Sequence, residues 1–271
     1  MKKLISLLIC VSLFFNCYFN SNATSTPKDD ITVLSEEEIV NMKENYNFAL
    51  QEEKIEYLND VFETIGANVN VNMISNELLN KLINADEFGC SDVSENAAFN
   101  NSARANGSAG KDHGDVIHLG ILWGKTGNEY TILGSAEWLD LPTVRDDDII
   151  SVDLGAGSID EESPELCLYY EKNGTVEYEN FDENDDNYKG EETACVFEFD
   201  LPSSVDSISV LVSYSIVNSS DENTITLLYF HKFLPLPISV GVSYIGGVSL
   251  TFEDIFTKYS LQCGTYQGDD Y

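Results

Sequence analysis

Hydrophobic residues in the C-terminal half of the chain recur at every second position. Between positions 208 and 216, the even-numbered residues are Ile208, Val210, Val212, Tyr214 and Ile216. Four of the five odd-numbered positions from 207 to 215 carry serine. Successive side chains of a strand point to opposite faces, so the pattern predicts a strand with one apolar face and one small polar face.

Similar short runs follow one another from Asp115 onward, at intervals typical of a β-sandwich. The predicted strands are Val116–Trp123, Tyr130–Leu139, Ile149–Leu154, Leu166–Glu171, Thr175–Asn180, Val196–Phe199, Ser207–Val217, Thr224–Phe230 and Ile238–Phe252. Gly124–Asn128 and Lys172–Gly174 predict hairpin turns, the second because Asn-Gly accepts positive φ. In the last run the apolar residues stay even-numbered across Gly246–Gly247. A hairpin there would mix the faces, so one bent strand is predicted.

The region from residue 28 to residue 88 lacks proline and has a helical period. Ser35 with Glu38 forms a capping-box pattern, and Ser75 predicts the cap of a shorter helix whose buried residues are Leu78, Leu79, Leu82 and Ile83. Between these caps, the apolar period changes phase near Gln51–Lys54, which fits either two helices or one long helix with a stutter. Gly66 is the predicted stop.

These patterns predict a mainly β chain (α+β overall), with an antiparallel β-sandwich preceded by a small helical region. Residues 1–23 resemble a signal peptide, with Lys2 and Lys3 before an apolar run and small residues leading to cleavage near Ala23. The alternative is a lipid anchor at Cys17. Residues 24–90 form the helical region, 91–114 a flexible linker rich in Asn, Ser, Ala and Gly, and 115–268 the sandwich. A protease could remove the helical region at the linker.

The chain is strongly acidic, with 47 Asp and Glu residues against 14 Lys and Arg. Loss of Lys2 and Lys3 with the signal would leave a net charge of about −35. Such a surface repels nucleic acid and anionic membranes, so neither is expected as a partner. No transmembrane segment is expected in the mature chain. An extracellular or cell-surface ligand of unknown kind is the predicted partner.

Four cysteines follow the predicted signal: Cys90, Cys167, Cys195 and Cys263. In an exported chain they are disulfide candidates, and three pairings are open. The weak preference is for Cys167–Cys195 with Cys90–Cys263, and free buried thiols are the alternative.

Candidate chemistry is sparse. Asp182, Asn184 and Asp186 alternate like the first ligands of a calcium loop, but Asn187 stands where the loop needs glycine, so calcium is only a weak candidate. Asp146–Asp148 is a second acidic cluster where calcium is an alternative, and a solvated acidic turn is the favoured interpretation. The three histidines lack a metal-binding spacing, and no catalytic residue or other cofactor is predicted. Trp123 and Trp138, on opposed strands, are expected in the core rather than stacked on a sugar.

The segment Ser135–Leu139, followed by Pro142, Arg145 and Asp148, resembles part of a family of uncharacterised secreted β-rich proteins of Gram-positive bacteria. The later Leu201–Ser203 and the serine-alternating strands are similar too. The resemblance spans at most residues 115–255. It implies a β-sandwich and no activity. On the motif, Arg145 is expected to pair with Glu137 or Asp148 beside Trp138.

The sequence therefore predicts an exported acidic binding or interaction protein, secreted or held at the cell surface, rather than an enzyme. Two alternatives stay open. One is a secreted toxin or antagonistic effector released from its helical region, and the other is a hydrolase of extracellular polymers.

Overall fold

A computed structural model describes residues 32–67, 69–92, 116–143, 145, 147–155, 157–217, 224–232 and 256–264. They belong to one compact unit, Ile31–Tyr271. Its α-helices are α1 (Glu36–Lys43), α2 (Gln51–Ile65) and α3 (Asn76–Ile83), with a 3-10 helix at Val71–Met73 before α3.

The described strands form two antiparallel sheets. In chain order they are β1 (Thr32–Leu34), β2 (Glu87–Asp92), β3 (Ile117–Thr126), β4 (Glu129–Trp138), β5 (Asp147–Leu154), β6 (Ser158–Ile159), β7 (Glu165–Lys172), β8 (Thr175–Asp182), β9 (Tyr188–Glu191), β10 (Ala194–Asp200), β11 (Ser207–Val217), β12 (Thr224–Lys232) and β13 (Phe256–Gly264). The larger sheet has the order β1-β2-β3-β4-β11-β7-β8, with β6 beside β11. The smaller sheet has the order β13-β12-β5-β10-β9.

Two hydrophobic cores lie on opposite faces of the larger sheet. The inter-sheet core lies between the two sheets and contains the even-numbered residues of β4, β7 and β11, such as Ile132, Leu168 and Val212. The helix-side core joins the helices to odd-numbered residues such as Leu133 and Leu211. The fold is thus a β-sandwich with a helical layer on one outer face, which confirms the predicted fold class.

The serine face of β11 lies under the helical layer rather than in solvent. Ser213 and Ser215 are only 4% and 1% exposed. The Lys81 ammonium of α3 donates a hydrogen bond to the Ser215 hydroxyl at 3.3 Å. Small hydroxyl side chains let short helices lie close to this strand.

The helical region has the predicted caps. It also decides whether the change of apolar phase means two helices or one long helix. Ser35 and Glu38 form the capping box, and Ser75 accepts a hydrogen bond from the Leu78 backbone N–H. Residues 44–50 separate α1 from α2, so the phase change marks two helices. Gly66 ends α2 with φ of 78°, a conformation that favours glycine.

The helices are flanked by strands that the sequence did not indicate. β1 and β2 lie on either side of them in the chain and pair with each other, and β2 pairs with β3 of the larger sheet. The helical region is therefore joined to the sandwich through shared strands as well as through the helix-side core.

The predicted hairpins β3–β4 and β7–β8 are present. Asn173 and Gly174 have φ of 53° and 74°, the backbone that a two-residue type I′ turn requires. The short strands β6 and β9, and β13, were not predicted.

Several predictions lie outside the described residues. These are the signal peptide with its alternative at Cys17, most of the 91–114 linker, and the bent strand Ile238–Phe252. In the part of the chain that is described, no helix is long and apolar enough to cross a membrane.

Candidate functional site

A groove of about 400 Å³ opens between the helical layer and the last two strands of the larger sheet. The segment from the 3-10 helix to the start of α3 forms one wall. β7 and β8 form the other, and β11 contributes the floor. The lining residues are Asn72, Met73, Ile74, Ser75, Asn76, Glu165, Leu166, Cys167, Tyr178, Asn180, Phe181, Asp182, Leu211 and Ser213.

The groove is lined mainly by groups that can hydrogen-bond a ligand. Asn72, Asn76 and Asn180 bring amides, which both donate and accept hydrogen bonds. Ser213 is 4% exposed, and its side chain makes no hydrogen bond with any described residue. A ligand in the groove could hydrogen-bond this hydroxyl.

The lining carries negative charge and no positive charge. Glu165 and Asp182 are directly opposite each other across β7 and β8. Like charges in that position repel, and the lining contains no Lys, Arg or His. The arrangement favours a ligand that brings cationic or hydrogen-bond-donating groups.

Beside the groove, β8 ends the larger sheet and is the most exposed strand described. Seven of its eight residues are exposed, and Phe181 is half-buried. Val176 and Tyr178 are 44% and 60% exposed. On the other face of the sheet, the Tyr170 hydroxyl lies 3.2 Å from a carboxylate oxygen of Glu177 and 3.1 Å from one of Glu179. Burial and these carboxylates raise the pKa of Tyr170 to about 12.

A second polar group, the Asp148 cluster, is buried in the inter-sheet core. The Asp148 carboxylate, 0% exposed, accepts hydrogen bonds from the Tyr229 hydroxyl at 2.7 Å and the Lys232 backbone N–H at 3.2 Å. His231 Nδ1 lies 2.9 Å from the same carboxylate. The Trp138 indole N–H donates to the Tyr229 hydroxyl at 3.1 Å.

The Asp148 cluster has a structural role. Burial raises the pKa of Asp148, while His231, Tyr229 and the Lys232 N–H act in the opposite direction. The cluster joins the ends of β5 and β12 to β4.

Asp148 is buried, so the expectation of a solvated turn at Asp146–Asp148 is wrong for this residue. Strand alternation could have located it, since Asp148 precedes the core residues Ile150 and Val152 at even positions.

Arg145 does not form the expected ion pair with Asp148, which is already bonded to His231. Arg145 donates instead to the backbone carbonyls of Pro142 at 3.3 Å and Pro202 at 3.1 Å. Lys232 pairs with Asp147 at 2.7 Å. Hydrogen bonding to Asp200 and Lys232 lowers the pKa of Asp147.

The preferred Cys167–Cys195 disulfide is wrong, because both thiols are free and buried. Cys167 faces the helix-side core from β7, whereas Cys195 faces the inter-sheet core from β10 of the other sheet. The larger sheet separates them. Burial raises the pKa of Cys167 to about 11 and that of Cys195 to about 12. The side chains of Cys90 and Cys263 lie outside the described ones, so their pairing stays a prediction.

The calcium candidates lie at the end of β8 and in the turn after it. The Asp182 carboxylate accepts a hydrogen bond from the Asn184 N–H at 2.8 Å. No cluster of three metal-binding side chains occurs among the described residues. Calcium at Asp182, Asn184 and Asp186 remains a prediction. Trp123 and Trp138 are 3% and 5% exposed, in the core as expected.

No protein-family model and no curated protein matches this chain. Weak matches to solved structures include the following three. The first describes manganese lipoxygenase of Gaeumannomyces graminis with part of zonadhesin of Komagataella pastoris, at 9% identity and a TM-score of 0.33, covering 55% of this chain and 54% of that one. The collagen-binding subdomain of the Enterococcus faecalis surface protein ACE matches at 14% identity and a TM-score of 0.31, covering 52% of this chain and 88% of that one. Clostridium perfringens delta-toxin matches at 5% identity and a TM-score of 0.27, covering 66% of this chain and 90% of that one.

This chain thus spans about half the length of the first of these structures. TM-scores and identities this low give no basis for an activity. The resemblance to secreted β-rich proteins of Gram-positive bacteria stays a prediction.

The sequence did not indicate the groove. Its residues come from four separate segments, and half of them are Asn, Ser or Leu, which have no distinctive spacing. The exposed aromatic Tyr178 beside acidic residues in a predicted strand was the one local signal.

Proposed function

We propose that this protein is an exported, non-enzymatic binding module and that the groove between the 3-10 helix–α3 segment and β7–β8 is its ligand site. The groove of about 400 Å³ carries the proposal, because its lining presents the Ser213 hydroxyl and the amides of Asn72, Asn76 and Asn180 to a ligand. The Ser213 hydroxyl makes no hydrogen bond with a described residue, so it and the neighbouring amides can bind the same ligand.

The surroundings of the groove support binding rather than turnover. The groove walls are strands and helix ends that the helix-side core holds in place. The Asp–His pair, the constellation here that most resembles a general base, is in the inter-sheet core rather than in this groove. The predicted signal peptide supports export, with the ligand in the medium or on a cell surface.

The test is a binding panel of cationic, anionic and neutral peptides together with neutral, amino and acidic oligosaccharides. The purified mature chain would be compared with Asn180→Trp, which places a bulky ring on an exposed wall of the groove. We expect at least one compound to bind the native chain and to lose about tenfold or more in affinity with the variant.

Exposed Val40→Trp on α1 is the control, since it adds the same ring far from the groove in sequence and outside its lining. The proposal fails if no compound binds, or if both variants bind every compound as the native chain does. Cleavage of a panel polymer would also overturn it, in favour of a hydrolase.

A further inference from the structure

We propose that the outer edge of β8 accepts an extended, cationic segment of a partner protein as an additional strand, with alternate side chains of that segment entering the groove. This inference rests on the proposed function, because it names the ligand class for the same site. It depends on three properties of β8: its outer edge, with which no described strand pairs, the chemistry of its two faces and its charge.

The free edge is long and regular. β8 pairs with β7 over eight consecutive residues without a bulge, and no described strand pairs with its other side. Asp182 at the end of the strand hydrogen-bonds Asp185 through its own N–H and C=O, and the outward backbone groups before it are a template for another strand. Edge strands are often protected by charged side chains, by Pro or by a bulge; Thr175–Asp182 contains no Pro, no bulge and no Lys, and its charged side chains are all acidic.

The two faces of β8 differ in chemistry. Val176, Tyr178 and Asn180 are on the helix side, the side of the groove. Glu177 and Glu179 are on the opposite face. In strand addition, main-chain hydrogen bonds supply affinity and alternate side chains supply specificity. An added strand would therefore present one set of side chains to the groove and the other to the two glutamates.

The charge selects a cationic partner. Glu165, Glu177, Glu179 and Asp182 form no ion pair with a described residue. Lys or Arg at alternate positions of an added strand would meet Glu177 and Glu179. An acidic segment would be repelled.

The same charge disfavours a second copy of this chain at the edge. Antiparallel pairing of two β8 strands about Tyr178 would bring Glu177 and Glu179 close to the same carboxylates of the other copy. Like charges across a strand pair are destabilising. The acidic side chains thus prevent self-association while leaving the edge open to a cationic strand.

The experiment uses the full mature chain and a fluorescent eight-residue peptide of alternating Lys and Thr, at an ionic strength of about 0.15 M. One comparison peptide replaces Lys by Glu. A second keeps the Lys-Thr sequence but carries backbone N-methyl groups at the threonines, which removes donors that a strand needs. We expect the Lys-Thr peptide to bind and each comparison peptide to bind about tenfold more weakly or less.

Two charge-matched variants locate the site. Glu177→Lys/Glu179→Lys should weaken binding of the Lys-Thr peptide by about tenfold or more. Glu52→Lys/Glu63→Lys makes the same change in net charge on exposed positions of α2, and should change affinity by less than about threefold. In hydrogen exchange, bound peptide should slow the backbone amides of β8 and leave those of β9 unchanged.

Equal losses in the two variants would overturn the proposal, because they would show attraction to the acidic surface as a whole. Equal binding of the N-methylated peptide would overturn strand addition, and a dimer lost in Glu177→Lys/Glu179→Lys would assign the edge to a second copy. If the Lys-Thr peptide does not bind but an oligosaccharide does, and Asn180→Trp blocks it, this inference fails while the binding function stands.

Discussion

The two faces of the larger sheet are buried by different means. One face packs against a second sheet, where aromatic rings surround the Asp148 cluster and its polar groups are bonded to one another. The other is covered by three helices, and the cover stops before β8. The sheet-covered face is closed, whereas the helix-covered face leaves a groove lined by hydroxyl and amide groups. A binding site can therefore form where a short helical layer ends.

The largest effect should come from removing the central carboxylate of the closed face. Asp148→Ala leaves His231, Tyr229 and the Lys232 N–H without their shared acceptor, and we expect a loss of about 3–5 kcal/mol in the free energy of unfolding. Urea denaturation followed by tryptophan fluorescence measures it. Glu63→Ala, an exposed carboxylate of α2, should change stability by no more than about 0.5 kcal/mol. A loss below about 1 kcal/mol for Asp148→Ala would show that the cluster does not hold the strands together.

On the helix-covered face, Leu82→Ala should cost about 2–5 kcal/mol, because Leu82 is 0% exposed in the helix-side core. Val40→Ala, at a residue 51% exposed on α1, is the control and should have little effect. Trp123 and Trp138 both lie in the inter-sheet core, so their fluorescence reports the other face. If the two faces unfold together, fluorescence and far-UV circular dichroism will give one shared, shifted transition. Separate transitions would show an independent helical layer.

Substitutions at two glycines test how tightly each face of the larger sheet is packed. A Cβ at Gly134 would lie 2.9 Å from Leu227 and 3.0 Å from Val212 in the inter-sheet core. At Gly124 it would lie 3.1 Å from Leu82 on the helix side. Overpacking should make Gly134→Ala destabilising by about 1–3 kcal/mol, and Gly124→Ala less so, because small helices can shift more easily than paired strands. Thermal unfolding of both variants would measure this, and a larger loss at Gly124 would contradict it.

The regular parts of the fold were predictable because their signals are local. The two-residue period located β11 at Ser207–Val217 with the structure's own bounds, and Asn173-Gly174 fixed one hairpin. Caps at Ser35, Ser75 and Gly66 located the helix ends. β1, β2 and β9 were missed because they are short or contain Gly and Cys. Their strand state comes from pairing with distant segments.

The candidate site was less accessible to sequence reasoning. Ser213 reads as one member of a polar face, and only the helices packed above it make it buried. The Cys167–Cys195 pairing failed because strand-like runs do not reveal which sheet a strand joins. Cys167 faces the helices, and Cys195 faces the core between the sheets.

Alkylation of Cys167 and Cys195 should give the smallest effect, because it compares the two faces of the larger sheet without a substitution. Cys167 lines the groove at 7% exposure, and Cys195 is 0% exposed in the closed core. With pKa values raised to about 11 and about 12, both should react slowly at neutral pH. At pH 8 about one Cys167 thiol in a thousand is ionised, so its iodoacetamide rate should rise about tenfold per pH unit up to pH 10.

We expect Cys167 to be labelled before Cys195, as measured by mass spectrometry of digested protein. Unfolding in urea should remove the difference, because both thiols then return to an ordinary pKa and full access. A ligand in the groove should slow Cys167 and leave Cys195 unchanged. Earlier labelling of Cys195 would contradict the contrast between a closed and an open face, since it would show that the inter-sheet core admits reagents more readily than the groove.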